Sequence, residues 1–509
     1  MKCERVVGKV LQSGAKLSVM IDEATTDSKK SVLIIYISAS LGMSEEPLIF
    51  FLDLVELSAT NAGEIYQALM NNLSHHGFSE AILSERFASD GASVMLGSKA
   101  GVATKIVEHF PNVMVWHCMN HRLELSVGDA VEEIVGMNDF QFFFDKVYSL
   151  YHASAKNRRE LTECCEELAL QCLNIGRILS TRWVASSYRT IKAVWQQYPA
   201  IHKHFSNASV DPKRSSTERC MFSGLIDRLS NATFVHNLGI MYDALEELSE
   251  FSLSLQDRNM TLPKAVATLS RQVRVLKSIA EQPGPAAEVA QTAMGLKLFK
   301  GVPLTNNLRH SREINHQHFF HALAAKIESR MGSLPGKQRS KEEYQSFLNN
   351  VKVLQPSNWP DVCGVRYAEK EIQELCSFFK LDDGRQIQRG MREYIDMVKL
   401  KSVGEMTPQA PEELKPLLQA VNTLVISTAE CERGFSQMNI LTTTRNTLEV
   451  KSMSALLFIK CVGPPLQMFK PDVYVKSWLQ SHCLANDLRA RARKVCIKKH
   501  DYETLWKLL

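Results

Sequence analysis

Several things are scarce in this sequence, and each scarcity sets a class of protein aside. No apolar run in the 509 residues reaches the roughly 18–20 that a bilayer-spanning helix needs. The opening MKCERVVGKVLQ has none of the apolar core of a secretory signal. Both point to an intracellular protein with no membrane partner. The 12 cysteines are scattered, Cys164–Cys165 being adjacent and most of the others far apart. In a chain this long that pattern reads as reduced thiols, not a disulfide framework. There is no repeat of fixed period and no long low-complexity tract. Charge of one sign is also scarce: the net charge of +5 permits nucleic-acid binding without demonstrating it.

What is present is an ordinary globular composition, 45% hydrophobic and 23% charged. The length suits two or three domains, or one large domain with an insertion. LSVMID (Leu17–Asp22), SVLIIYISAS (from Ser31) and PLIFFLDLV (Pro47–Val55) read as three strands with short links, an antiparallel meander. Asn61–Leu73 carries Ile65, Leu69 and Leu73 on one helical face. Ile82–Ala88 reads as a strand running into Ser89-Asp90-Gly91, Ser98–Phe110 as a helix, and Asn112–Trp116 as a short strand before the helix of HCMNHRLELSVGDAVEEIV. That order fits an α/β layer architecture.

Two acids close strands: Asp22 the first and Asp90 the fourth. If those strands are neighbours, the carboxylates emerge together, and paired carboxylates suit hard cations such as Mg²⁺. Taken singly, each is equally a strand-end turn residue. Cys118-x-x-His121 invites a zinc reading, but a structural zinc site takes four ligands and no partner CxxC lies nearby. Packing at a strand-to-helix junction is the plainer reading. Far downstream, TAECERGF (Thr428–Phe435) places Glu430 and Glu432 around Cys431 in apolar sequence. It reads as a helix start with acids near the positive end of the dipole.

The ordered set IDEATTDS with Asp22, FASDGAS with Asp90, WHCMNHRLEL with Cys118 and His121, STRWVAS with Trp183, and TAECERGFSQMN…TRNTL with Glu432 and Arg433 resembles the hAT superfamily of DNA transposases and their host-derived relatives. The resemblance spans nearly the whole chain. It implies an α/β RNase H-like mixed sheet interrupted by a large all-α insertion, with C-terminal helices. The implied domains are residues 1–140 for the first part of the core, 141–420 for the insertion, and 421–509 for completion of the core and the hAT dimerisation region. It further implies an acidic catalytic triad of Asp22, Asp90 and Glu432 holding Mg²⁺ or Mn²⁺ for DNA strand cleavage and transfer. Cys118, His121, Trp183 and Arg433 are implied to handle DNA. Two departures stand out: Ala24 occupies a position where the family often has tryptophan, and Val425-Ile426-Ser427 lacks the proline common before the last acid. The zinc-finger domain usual in active relatives is also not seen.

Residues from Gln141 to about Ala420 read as mainly helical. Phe142, Phe143, Phe144, Val147, Leu150 and Tyr151 suggest a buried face, Ser180 or Thr181 suggests a cap before Trp183, and Gln282-Pro283-Gly284-Pro285 is a break. Lys264, Arg271, Arg274 and Lys277 are either phosphate contacts or a solvated helix face. Leu448, Met453, Leu456, Leu457 and Phe458 form an apolar surface for the core, for a partner copy, or for both. The basic run RARARKVCIKK (Arg489–Lys499) suits nucleic acid, nuclear import, or plain solvent. The resulting expectation is a nuclear, transposase-derived homo-oligomer that binds DNA or chromatin, with catalysis lost or unused. The alternatives are an active metal-dependent DNA transposase and a regulatory adaptor in transcription or SUMO conjugation.

Overall fold

The strands form where β-branched and aromatic residues run together. In a computed structural model, which describes residues 2–13, 16–26, 28–40, 47–78, 86–111, 113–178, 183–306, 312–332, 341–400, 408–443, 445, 447–463, 466–472 and 474–476, helix α1 (Lys2–Gln12) precedes the meander β1 (Lys16–Thr25), β2 (Ser31–Ser40) and β3 (Leu48–Glu56). The N-terminal helix has no counterpart in the sequence reading. Every residue of β2 from Val32 to Ser40 is buried, so this strand is the centre of the core. Each Val, Ile or Leu so buried stabilises the fold by about 1.5–3 kcal/mol.

After the meander come α2 (Ala62–His75), β4 (Arg86–Ser89), α3 (Ser93–Leu96), α4 (Val102–His109), β5 (Met114–His117) and α5 (Met119–Glu132). Asn61 caps α2 through its side chain, and Ile65, Leu69 and Leu73 are buried as expected. The helix expected over Ser98–Phe110 is shorter, beginning only at Val102. Gly97 and Gly101 explain this, since a Cβ on Gly101 would meet the Gly97 backbone at 2.6 Å. The five strands form one mixed sheet in the order β3-β2-β1-β4-β5. β1 pairs antiparallel with β2 and parallel with β4, and β4 pairs parallel with β5.

The long helical stretch comprises α6 (Met137–Ala153), α7 (Ala155–Glu167), α8 (Trp183–Gln196), α9 (Tyr198–Val210), α10 (Ser216–Leu229), α11 (Ala232–Leu255), α12 (Leu262–Glu281) and α13 (Pro285–Leu296). The hairpin β6 (Leu298–Phe299) and β7 (Val302–Pro303) interrupts it before α14 (His316–Met331), α15 (Lys341–Val351), α16 (Glu369–Phe379), α17 (Gly384–Lys399) and α18 (Lys415–Asn422). Phe143, Phe144, Val147 and Tyr151 are buried on α6, but Phe142 is 49% exposed and Leu150 only half-buried. Three consecutive phenylalanines cannot share one face of a helix at 100° per residue. The apolar spacing across Phe222–Leu255 is likewise two helices, because Asn231 caps α11 by accepting from Thr233 and Phe234. At the Gln282–Pro285 break, buried Asp243 accepts from the backbone N–H groups of Ala286 and Ala287 at 3.0 and 2.8 Å. Only glycine fits at 284, where a Cβ would meet the Asp243 carboxyl carbon at 2.6 Å.

The last α-helices among the described residues are α19 (Ala429–Thr442) and α20 (Val450–Val462). It divides into two compact units, Met1–Leu457 and Phe458–Leu509. Within the first, Val450, Met453 and Leu457 are buried, while Leu448 and Leu456 are half-buried. Ser454 fastens α20 to β3, donating to Asp53 and accepting from Leu54 N–H at 3.1 Å. In the second unit the rings of Phe469 and Tyr474 stack at 5.1 Å. The basic run Arg489–Lys499 and the expected cap residues Ser180 and Thr181 lie outside the described residues. No helix among the described residues is long and apolar enough to cross a membrane.

Candidate functional site

Strand register places the first two acids. β1 and β4 run parallel with Val19 opposite Phe87 and Met20 opposite Ala88. The same offset, continued two residues, would bring Asp22 level with Asp90, which directly follows β4. Asp22 itself does not close its strand as expected, because β1 runs on to Thr25 in register with β2. Asp90 is held in a tight turn, its Oδ1 accepting from Ala92 N–H at 3.3 Å. Asp22 Oδ1 accepts from Glu23 N–H at 2.9 Å.

The third acid arrives on α19. Asp22 pairs with Ile34 across the sheet. Gly434 of α19 lies against the same Ile34, where a Cβ would meet Ile34 Cδ1 at 2.5 Å and the Tyr36 hydroxyl at 2.7 Å. Helix α19 therefore covers the sheet face on which Asp22 stands. Glu432, half-buried, is in its first turn. Cys431 marks the meeting point: burial, then Asp22, Cys118, Glu430 and Glu432 around it, hold its thiol well above the ordinary range. Asp22 and Glu432 are thus both within electrostatic reach of one buried sulfur.

Cys118 starts α5 directly after β5, as expected of a strand-to-helix junction. Its Sγ accepts from Thr428 N–H at 3.3 Å and its thiol donates to the Ser427 hydroxyl at 3.7 Å. Met119 N–H donates to the Ile426 carbonyl at 2.9 Å. These bonds seat the approach to α19 on the start of α5, which is how a segment more than 300 residues away reaches the strand ends.

Glu430, the other acid of the same turn, does not lie at the surface. It is buried and gripped by Arg258 at 2.7 and 3.2 Å and by Arg433 at 2.5 Å. Arg433 also donates to the Gln256 carbonyl at 2.5 Å. Arg433 therefore ties α19 to the end of α11. A buried carboxylate needs such pairing, since an uncompensated charge there is strongly destabilising. Trp183 begins α8, far along the chain from these groups.

The opposite face of the same strand ends holds groups that sequence reasoning missed. Successive strand residues alternate faces, so Glu23 and His117 stand across the sheet from Asp22. Glu23 Oε2 and His117 Nε2 are both buried without a hydrogen-bond partner. Burial, with the Asp90 charge added, raises the Glu23 carboxyl. Burial, helped by Arg122, His121 and Arg330, depresses His117 to about 2, so its ring stays neutral. The rings of His117 and His121 lie 5.3 Å apart and close on Gly91, where any Cβ would strike both. Strand alternation around Asp22 and Asp90 was the signal that could have found Glu23 and His117.

The donor chemistry fits a hard divalent cation. Asp22 and Asp90 are carboxylates on neighbouring strands, and on the other face of the sheet Glu23 has an orphaned oxygen and feels the Asp90 charge. Among the described residues, no three His, Cys, Asp or Glu side chains are grouped closely enough to hold a metal by themselves. Mg²⁺ commonly takes only one or two carboxylates and keeps its waters. No family model matches the chain.

Proposed function

We propose that the chain is a nuclear, DNA- or chromatin-directed homo-oligomer derived from a hAT transposase, built on an RNase H-like core interrupted by its helical insertion. Asp22, Asp90 and Glu432 are its acidic site. The observation that carries this reading is the parallel pairing of β1 with β4, Val19 opposite Phe87 and Met20 opposite Ala88, which runs toward Asp22 and Asp90. A meander followed by two parallel strands, with α19 packed over Ile34 on the sheet face that bears Asp22, supports this reading. Cys118 acts in this reading by seating α19, and Arg433 by holding it to α11. His121 borders Asp90 through Gly91, in a position to contact a phosphate-bearing strand. Ala24, in place of the family's tryptophan, supports a role that does not depend on strand cleavage.

A second reading, the active metal-dependent enzyme, is favoured by one specific observation: the orphaned Glu23 oxygen, of a carboxyl raised by burial and then by the Asp90 charge, marks negative charge on both faces of the sheet at this point. When bound, Mg²⁺ or Mn²⁺ would supply electrostatic stabilisation of attacking and leaving oxygens in phosphoryl transfer. The residues would hold it through Asp22 and Asp90, with Glu432 closing the site. The test separates the readings. The full chain, fused to a surrogate DNA-binding domain, is incubated with Mn²⁺ and a DNA end, and nicking is scored. The first reading predicts cation binding without nicking. Nicking abolished by Asp90→Ala establishes the second, and nicking unchanged by Asp90→Ala overturns the assigned acids.

A further inference from the structure

Helix α12 presents an exposed face of one charge. Lys264, Arg271, Arg274 and Lys277 are all exposed, and Glu281 at its last turn is the only acid in its sequence. At 100° per residue these four cations fall within one arc of the helix surface, which they share with Ser270 and Ser278. Lys277 is neutralised by Glu328 at 3.0 Å. Lys264 donates to a backbone carbonyl, Asn259 O, at 3.3 Å, which leaves its charge uncompensated. Among the described residues no acid lies within ion-pair distance of Lys264, Arg271 or Arg274. Lys352, on a neighbouring 3₁₀ turn, lines an open cleft with Ala267 and Ser270 and adds a further cation beside the row.

The row begins next to the acidic site. Helix α12 starts a few residues after Gln256 and Arg258, and those two residues are the ones clasped to Arg433 and Glu430 of α19. A polyanion lying along α12 would therefore have one end directed at the helix that carries Glu432. From Lys264 to Arg274 the helix rises about 15 Å, enough to meet two or three successive phosphates.

We propose that the Lys264–Arg271–Arg274 face of α12 is a docking strip for the phosphate backbone of duplex DNA, leading toward the strand-end acids. Charge complementarity selects a polyanion. The face has no large exposed apolar residue to enter a bilayer, which a membrane-binding amphipathic helix needs. It has no aromatic ring to stack on bases either, so contact is with the backbone and independent of sequence. The proposal rests on the DNA-directed reading for its ligand but not on the acids.

The test measures affinity of the full chain for a mixed-sequence duplex across a salt series, for wild type and for Lys264→Gln/Arg271→Gln/Arg274→Gln. All three positions are exposed on a helix, and circular dichroism checks that the variant is folded. The expected result is at least a ten-fold loss of affinity at about 50 mM salt, and a fall in the log–log salt slope of about 2–3, near 0.9 per phosphate contact removed. Equal affinity and slope in the two proteins would overturn the strip while leaving the DNA-directed reading intact. So would binding to vesicles of phosphatidylserine and phosphatidylcholine in place of duplex. No duplex binding by wild type overturns the strip outright, whereas failure of the acidic site shows only in the nicking assay.

Discussion

Two buried histidines, one in the helical stretch and one at the end of β5, differ in how their ring nitrogens are served. In the helical stretch, His204 is 1% exposed, with Tyr151 on Nδ1 at 2.9 Å and Glu160 on Nε2 at 3.1 Å. Glu160 in turn accepts from Arg214, which also reaches Asn157 at 2.9 Å and lies over the Phe222 ring. Both ring nitrogens of His204 are therefore partnered, and the Arg214 Nε, without a hydrogen bond, lies 3.6 Å from Asp211. At the strand ends, His117 is buried almost as deeply, yet its Nε2 has no partner, and neither does the Glu23 oxygen nearby in the fold. An orphaned buried polar group costs about 1–3 kcal/mol. The fold thus serves one buried histidine on both nitrogens and leaves His117 with an open nitrogen next to Gly91.

Substitutions should break this contrast in graded steps. The largest effect belongs to the satisfied network. Glu160→Ala leaves Arg214 and His204 without their carboxylate, and urea denaturation should show a loss of about 3–4 kcal/mol, moderated by Asp211 at 3.6 Å from Arg214. A loss under 1 kcal/mol would mean the network is not what holds those helices together.

Next comes the pH dependence of the open histidine. With its folded pKa depressed to about 2, His117 stays neutral on acidification while the unfolded chain takes up a proton below about 6.5. The unfolded state then binds more protons, so stability falls as pH falls. Between pH 7 and pH 5 this one group accounts for a loss of about 2 kcal/mol. Comparing wild type with His117→Gln should show the wild-type curve steeper by that amount.

A similar cost attaches to the contact that seats the third acid. Gly434→Ala forces a methyl onto Ile34 and Tyr36 and should cost about 1–3 kcal/mol by overpacking. It should also reduce cation affinity by shifting Glu432. Smallest is Glu23→Gln. The Glu23 carboxyl is raised in the folded state, so its ionisation works against folding once pH rises above the ordinary carboxyl range, and that penalty is absent below it. The glutamine variant should match or slightly exceed wild-type stability at pH 7 by thermal melting, and should lose part of any Mn²⁺-induced stabilisation.

Much of the sheet was legible in sequence, because SVLIIYISAS and PLIFFLDLV carry β-branched and aromatic runs too dense for another reading. Asp90 was legible as a strand-end acid, directly after β4, whereas Asp22 was not, because the β1–β2 ladder continues past it to Thr25. The roles of Glu430 and Arg433 were not. Their partners, Arg258 and Gln256, sit more than 170 residues away, and nothing local announces such a pairing. Phe142 misled because composition shows apolarity but not which third of a helix it faces. Glu23 and His117 were hidden beside louder neighbours: alternation sends them to the other face of the sheet, and only burial reveals that they lack partners.

The most direct measurement is calorimetric titration of Mn²⁺ into the full chain at pH 7, for wild type, Asp22→Asn and Asp90→Asn. If the paired strand ends form a divalent-cation site, wild type binds with a stoichiometry of at least one and each variant weakens binding ten-fold or more. Binding of equal strength in all three proteins, or none in wild type, would contradict it.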